Sequence, residues 1–207
     1  MPFHTRDFRE LFGFEHTTIQ YLLQNQFIQP VGPPPKGRGS RRSYGLDAAF
    51  RIGLISRLRR AGMEIPASNR FVDFAQRFFQ IFTENTRPDH LLLSQLKEFR
   101  PFERLHSEGQ YEFFIEIIDY EWITILVGDR EAAHISKIPW AFSLNPKSPP
   151  EISEQKKPLR DLEFADLRLQ ANLTSIARAI AGFVQQHPHQ FPELTNDIQN
   201  INIETTE

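Results

Sequence analysis

The sequence predicts a mainly α-helical chain with a small antiparallel sheet, an α+β fold. Apolar residues recur at helical spacing over most of the first 85 residues, whereas β-branched and aromatic residues crowd together between residues 111 and 127. Charge divides the chain as well. Residues 1–70 carry 11 Lys+Arg against 5 Asp+Glu, and by subtraction residues 71–207 carry 13 against 21. We therefore expect a basic N-terminal part and an acidic C-terminal part.

Composition excludes several kinds of chemistry. The chain has 207 residues with 40% hydrophobic side chains, enough for a buried core. It has no cysteine, which excludes disulfides, thiolate metal sites and cysteine nucleophiles. Its longest apolar run is too short to span a bilayer, and its first residues lack the apolar segment of a secretory signal. We expect a cytoplasmic protein with no membrane contact.

The first two helices are predicted to be short and joined by a tight turn. Thr5 can cap a helix that runs to about Leu11, and Gly13 suits the left-handed residue that ends it. The second helix is predicted over Thr17–Asn25. Its apolar side chains share one face, and the outward residues are His16, Thr17, Gln20, Tyr21 and Gln24. This spacing is typical of a helix-turn-helix, whose second helix enters the major groove of DNA.

The segment Gln29–Tyr44 follows, and its prolines and glycines forbid a helix. We interpret it as a projecting loop or two-stranded wing, and call it the predicted wing. Its basic residues, which we expect along DNA phosphates, are Lys36, Arg38, Arg41 and Arg42. Tyr21 and Tyr44 are expected to donate hydroxyl groups to phosphate while their rings pack on the core. A third helix is predicted over Leu46–Ala61, with Gly62 as its stop.

These residues resemble the winged helix-turn-helix of MerR-type transcription regulators. The matching features are Gly13 at the turn, Thr18, Ile19 and Tyr21 on the second helix, Phe27 and Ile28 before Pro30, Arg42 and Tyr44 in the wing, and Ile55, Leu58, Arg59 and Gly62 after it. The resemblance covers about residues 5–65 and implies a homodimer that binds duplex DNA. The chain departs from the family pattern at Glu15 and at Gln20. The amide of Gln20 is able to pair with adenine.

The remaining elements are predicted from local pattern. We expect a helix over Asn69–Phe82, a short helix over Leu91–Phe99, a hairpin over Tyr111–Val127 with its joint at Asp119–Glu121, a third strand within His134–Leu144 and an exposed linker over Asn145–Pro158. A heptad of apolar residues predicts a helix over Leu162–Gln186, either in a coiled coil or packed on the sheet. The predicted domains are 1–85 for DNA binding, 86–186 for dimerisation or effector sensing, and 187–207 as a polar, partly disordered tail.

We therefore expect a DNA-binding transcription regulator that acts as a homodimer on duplex promoter or operator DNA, with an unidentified small-molecule or protein effector. Two alternatives stay open: an architectural factor that bends DNA, as in phage excision, and a protein-interaction module. No phosphate loop, nucleophile elbow or zinc-protease motif occurs, so we expect no enzyme, catalytic residue, cofactor or metal site. Glu112 and Glu116 are interpreted as the solvated side of a strand, and His187 and His189 as surface histidines.

Overall fold

The computed structural model describes residues 3–32, 42–85, 99–103, 111–129, 134–137, 140–143, 156–163 and 165–195. These residues form helices and one antiparallel sheet, which confirms the predicted α+β class. The chain divides into two compact units. The first unit holds residues 1–72, 99–108 and 175–207, and the second holds residues 73–98 and 109–174. Within the described ranges, no helix is both long and apolar enough to cross a membrane.

Three helices of the first unit lie within one residue of their predicted bounds. Helix α1 spans Thr5–Phe12, α2 spans His16–Gln24 and α3 spans Leu46–Arg60. As predicted, α1 ends at Gly13, whose φ of 71° is in the left-handed region that glycine tolerates. The residue that precedes α1 is His4 rather than Thr5. Its backbone N–H donates to the Asp7 carboxylate at 2.7 Å, the arrangement of a capping box in which the third helical residue accepts from the cap residue.

Helix α3 is the centre of the first unit. It is buried along most of its length, as expected for a helix covered on several sides. Gly53 makes close packing possible in its middle. A Cβ atom at Gly53 would lie 2.5 Å from the Ile176 side chain and 2.9 Å from the Phe12 ring. Glycine is therefore the one residue that fits between these neighbours without displacement.

The remaining helices cross from one unit into the other along the chain. Helix α4 spans Ile65–Asn85, which starts earlier and ends later than the predicted Asn69–Phe82. Helix α5 spans Leu173–Gln186, and its residues from Ser175 onward belong to the first unit. The predicted short helix over Leu91–Phe99 lies almost wholly outside the described residues. The division of the chain thus differs from the predicted boundary at residue 85, because residues beyond 174 return to the first unit.

Residues 187–195 are part of the first unit's core, contrary to the predicted polar tail. Phe191 is fully buried, with its ring 4.6 Å from the Phe3 ring and 6.0 Å from the Phe183 ring. The Gln190 side-chain amide donates to the Asp7 carboxylate at 2.8 Å. The Phe191 ring and the Gln190 hydrogen bond connect this otherwise polar segment to the start of the chain. Residues 196–207 of the predicted tail lie outside the described residues.

Two isolated bridges fix the ends of the predicted wing, one between its two ends and one to the start of the chain. The Val31 N–H donates to the Ser43 carbonyl at 2.7 Å. Next to it, Phe3 and Tyr44 exchange two backbone hydrogen bonds, of 2.9 and 2.8 Å. Residues 33–41, the middle of the predicted wing, lie outside the described residues. The structure therefore shows the base of this segment as an antiparallel pair.

The second unit contains the sheet. Its strands are β1 Tyr111–Ile118, β2 Trp122–Asp129, β3 His134–Lys137, β4 Trp140–Ser143, β5 Lys156–Pro158 and β6 Arg168–Asn172. The order is β5-β4-β2-β1-β6, and β3 pairs with the far end of β2. The predicted hairpin is present as β1 and β2. Its turn places Asp119 and Tyr120 at φ of 51° and 56°, the backbone of a type I′ turn.

Two predicted elements of this region are wrong in part. The predicted linker over Asn145–Pro158 ends in a strand, because Lys156–Pro158 pairs with β4; residues 145–155 lie outside the described residues. The predicted helix over Leu162–Gln186 is three elements: a 3₁₀ turn over Leu159–Leu162, strand β6 and helix α5. Only its second half is helical. Strand β6 gains a full antiparallel pairing with β1, and this pairing outweighs the helical spacing of its apolar residues.

Glu116 is also placed differently from its predicted solvated position. Its side chain is 1% exposed in β1. The Arg168 guanidinium donates to one carboxylate oxygen at 2.9 Å, and the Gln170 amide donates to the other at 2.8 Å. Both partners come from β6, which lies beside β1. The carboxylate is therefore buried with its charge paired and both oxygens bonded.

Candidate nucleic-acid interface

Helix α2 separates an apolar face from a polar one. Ile19 and Leu22 are buried in the first unit, whereas the predicted contact residues are exposed: His16, Thr17, Gln20 and Tyr21. The structure therefore brings these four residues together on one surface of one helix. The nine residues of α2 include no acidic or basic side chain apart from the histidine. Any partner of this face meets hydroxyl, imidazole and amide groups rather than fixed charges.

Two of these side chains are bonded to each other. The Gln20 amide nitrogen lies 2.9 Å from His16 Nε2, across one turn of the helix. An amide nitrogen has no free lone pair, so it is the donor and His16 Nε2 is the acceptor. This bond uses one N–H of Gln20 and leaves its Oε1 and its second N–H available to a partner.

A buried arginine of α3 forms hydrogen bonds that hold the loop at the C-terminal end of α2. The Arg51 guanidinium in α3 donates to the Phe27 carbonyl at 3.1 Å and to Asn69 Oδ1 in α4 at 3.1 Å. The Phe27 ring packs edge-on to the Tyr21 ring, with centroids 6.2 Å apart. Arg51 is buried, so its bonds join the loop after α2 to two other helices. This arrangement fixes the position of α2 relative to α3.

Of the predicted wing residues, the structure describes two. Arg42 is exposed, and its backbone carbonyl lies 3.0 Å from His4 Nδ1. The guanidinium of Arg42 is therefore presented at the base of the loop, beside the bridge between Val31 and Ser43. Lys36, Arg38 and Arg41 lie outside the described residues.

Tyr44 does not belong to an exposed contact surface, which corrects the prediction. Its side chain is 1% exposed, and its ring packs edge-on to the Phe8 ring at 5.3 Å between centroids. A group so fully enclosed cannot reach a DNA phosphate. Its backbone bonds to Phe3 show what the residue does: it anchors the end of the loop in the core. An aromatic next to two arginines suggested a contact residue, but the pairing with Phe3 turns it inward.

The sequence reasoning missed a group of arginines at the end of α3. Arg57, Arg59 and Arg60 are exposed there, where cations also favour the helix dipole. Arg60 donates to the Phe12 carbonyl at 3.4 Å, which places its guanidinium at the turn between α1 and α2. Arg59 and Arg60 line a cavity of about 270 Å³ together with Phe12, Gly13, Phe14 and Ser56. The run Arg-Leu-Arg-Arg before Gly62 is visible in the sequence, where Arg59 is a matching feature of the family resemblance, but none of its arginines is among the predicted DNA contacts.

Exposed cations lie on several elements of the first unit other than α2. Those that the structure describes are Arg6, Arg9, Arg42, Arg57, Arg59, Arg60 and Arg70. In the described ranges, none of the ion pairs involves one of these residues. Nor do the described residues place three or more carboxylate or imidazole groups together as metal ligands. The surface is suited to an anion that also carries hydrogen-bonding groups.

Comparisons with family models, curated proteins and solved structures found no match for this chain.

Proposed function

We propose that the first unit binds duplex DNA as a MerR-like winged helix-turn-helix, and that the chain is a homodimeric transcription regulator. The observation that carries the proposal is the exposed face of α2: hydrogen-bonding side chains without fixed charge, with exposed arginines on the neighbouring elements. Specific DNA binding needs both features, because phosphate contacts supply affinity and base contacts supply sequence preference.

The positions of α2 and of the arginines support base contacts by α2 and phosphate contacts by the arginines. Helix α2 is nine residues long, and a short helix with an exposed N-terminal half suits the major groove. Arg42 at the base of the predicted wing and Arg60 at the turn before α2 lie on different elements, so they would contact phosphates at different places along the groove. Arg51 would keep α2 in register with these anchors, because it bonds the loop that follows α2.

Salt dependence tests the proposal directly. We expect full-length protein to bind labelled duplex DNA in fluorescence anisotropy, with affinity falling steeply as salt rises. Each lost phosphate contact should reduce the slope of log K against log salt by about 0.9. Arg42→Gln and Arg60→Gln should each show this reduction. Arg160→Gln is the matched control, because Arg160 is an exposed arginine of the second unit.

The outcomes separate the proposed function from its alternatives. Absence of duplex binding, or equal salt slopes for wild type and both variants, would contradict the proposal. Binding that bends the duplex at several adjacent sites, without an effect on transcription of a neighbouring promoter, would favour an architectural factor. Light scattering that gives a monomer at the concentrations used for binding would contradict the homodimer.

A further inference from the structure

We infer that Gln20, held by His16, reads an adenine in the major groove; this inference rests on the proposed function. In this inference Gln20 determines the base preference, and His16 positions the Gln20 side chain. The assignment starts from the bond between the Gln20 amide nitrogen and His16 Nε2, which lie 2.9 Å apart on the exposed face of α2.

A free glutamine side chain can present more than one hydrogen-bonding pattern to a base. Its amide carries two N–H donors and one carbonyl acceptor, so it can present two donors or one donor and one acceptor to a partner. The bond to His16 removes the first option. One N–H is used within the helix, and what remains is one N–H and the Oε1 acceptor.

Adenine is the base whose major-groove edge complements this remaining pair. It presents the N7 acceptor beside the N6 amino donor, whereas guanine presents two acceptors. Cytosine offers a donor alone, and thymine offers an acceptor beside a methyl group. Gln20 as His16 holds it would therefore form two hydrogen bonds with adenine and one with the other bases. With guanine, its Oε1 would also face the O6 atom, which repels it.

The location of Gln20 fits this role. It is the fifth of the nine residues of α2 and is exposed, at the middle of a helix that would enter the groove. His16 lies one turn before it, so its ring reaches the amide without leaving the helix surface. We assign His16 as a positioning residue, because it acts on the base through the orientation of Gln20.

Selection from a randomised duplex library tests the assignment with full-length protein. Wild type should enrich sites with one adenine that Gln20→Ala no longer prefers, and the loss of preference should be about 5- to 150-fold. Preference at other positions of the site should stay. Gln185→Ala is the matched control, since Gln185 is an exposed glutamine of α5, outside the proposed interface.

His16 is tested by the ratio of adenine to guanine at the same position. His16→Ala frees the second N–H of Gln20, so guanine should become tolerated and the ratio should fall by about 2- to 10-fold. His16→Gln supplies another acceptor one turn away and should restore the ratio. A merely structural role of His16 would lower affinity for all sequences and leave this ratio unchanged.

A modified base tests the contact without depending on a variant. Replacing the assigned adenine by 7-deazaadenine removes the N7 acceptor, and wild type should lose about 2- to 10-fold in affinity. Gln20→Ala should lose nothing further on this substitution. If wild type enriches no duplex, the proposed function fails and the assignment fails with it. If wild type enriches a site that Gln20→Ala reads identically, the assignment is overturned while the proposed function stands.

Discussion

Phe191 packs against Phe3, with their ring centroids 4.6 Å apart and both side chains fully buried. Phe3 in turn exchanges backbone hydrogen bonds with Tyr44, at the base of the predicted wing. A residue near the C-terminal end of the described chain therefore supports the loop that we propose to contact DNA. The segment predicted to be a polar tail is part of that support.

Phe191→Ala should lower the free energy of unfolding by about 3–5 kcal/mol, because it removes a buried ring from a packed core. Urea denaturation of the full chain measures this change. Glu193→Ala is the control, since Glu193 is exposed two residues away and should change stability by less than about 0.5 kcal/mol. A loss no larger than that of the control would mean that Phe191 is not buried against Phe3 in solution.

The two glycines Gly53 and Gly182 make a matched pair within helices. Gly53→Ala should lower stability by about 1–3 kcal/mol, because its Cβ would lie 2.5 Å from Ile176. At Gly182 a Cβ would meet no atom of another described segment within 4 Å, so Gly182→Ala should raise stability by about 1 kcal/mol through helix propensity. Thermal unfolding of both variants checks the opposite signs. Stabilisation by Gly53→Ala would contradict the close approach of α5 to α3.

Arg51→Met should loosen the end of α2. The substitution removes the donor to the Phe27 carbonyl and to Asn69, at a cost of about 1–3 kcal/mol. Amide hydrogen exchange should quicken from Asn25 to Ile28 more than elsewhere in the first unit. Arg57→Met, at an exposed position of the same helix, should leave both stability and exchange nearly unchanged. Uniform exchange throughout the unit would show that Arg51 does not position α2 in particular.

Because Glu116 and Arg168 form a buried ion pair, we expect the single substitution of Arg168 to destabilise the protein more than the substitution of both residues. Arg168→Met leaves the Glu116 carboxylate buried without its cation and should cost about 3 kcal/mol. Adding Glu116→Met removes the buried charge and should recover most of that loss, because an apolar pair of similar size packs without a desolvation cost. Urea denaturation of the two single variants and the double variant gives the coupling energy. Additive losses would contradict a buried pair.

The local pattern sufficed wherever an element is stabilised mainly by its own residues. Helix α2 shows the case well: Ile19 and Leu22 lie at helical spacing and face the core, so their spacing predicted both the helix and its exposed face. The hairpin of β1 and β2 follows likewise from dense β-branched and aromatic residues around a short polar joint. Four of the nine predicted contact residues lie together on α2 for this reason.

Prediction failed where a distant partner decides the local structure. Strand β6 has a helix-like pattern, yet Arg168 and Gln170 are drawn to Glu116, more than 50 residues earlier. The same pairing buries Glu116, whose place in an alternating strand suggested solvent. Tyr44 became core rather than contact surface because it pairs with Phe3. In each case the partner is far away in the sequence, and no local pattern reveals it.

The first unit is built from segments that are far apart in the sequence, and this affects the order in which the protein can fold during synthesis. All of the second unit lies between residues 73 and 174, whereas the first unit needs residues 175–195 as well as the first 72. A chain emerging from the ribosome N-terminus first therefore contains the whole sheet unit before Ile176, Phe183 and Phe191 have been made. The N-terminal helices emerge first, but their core is completed last. A chain that stops before residue 175 would leave Phe3 without Phe191 and Gly53 without Ile176.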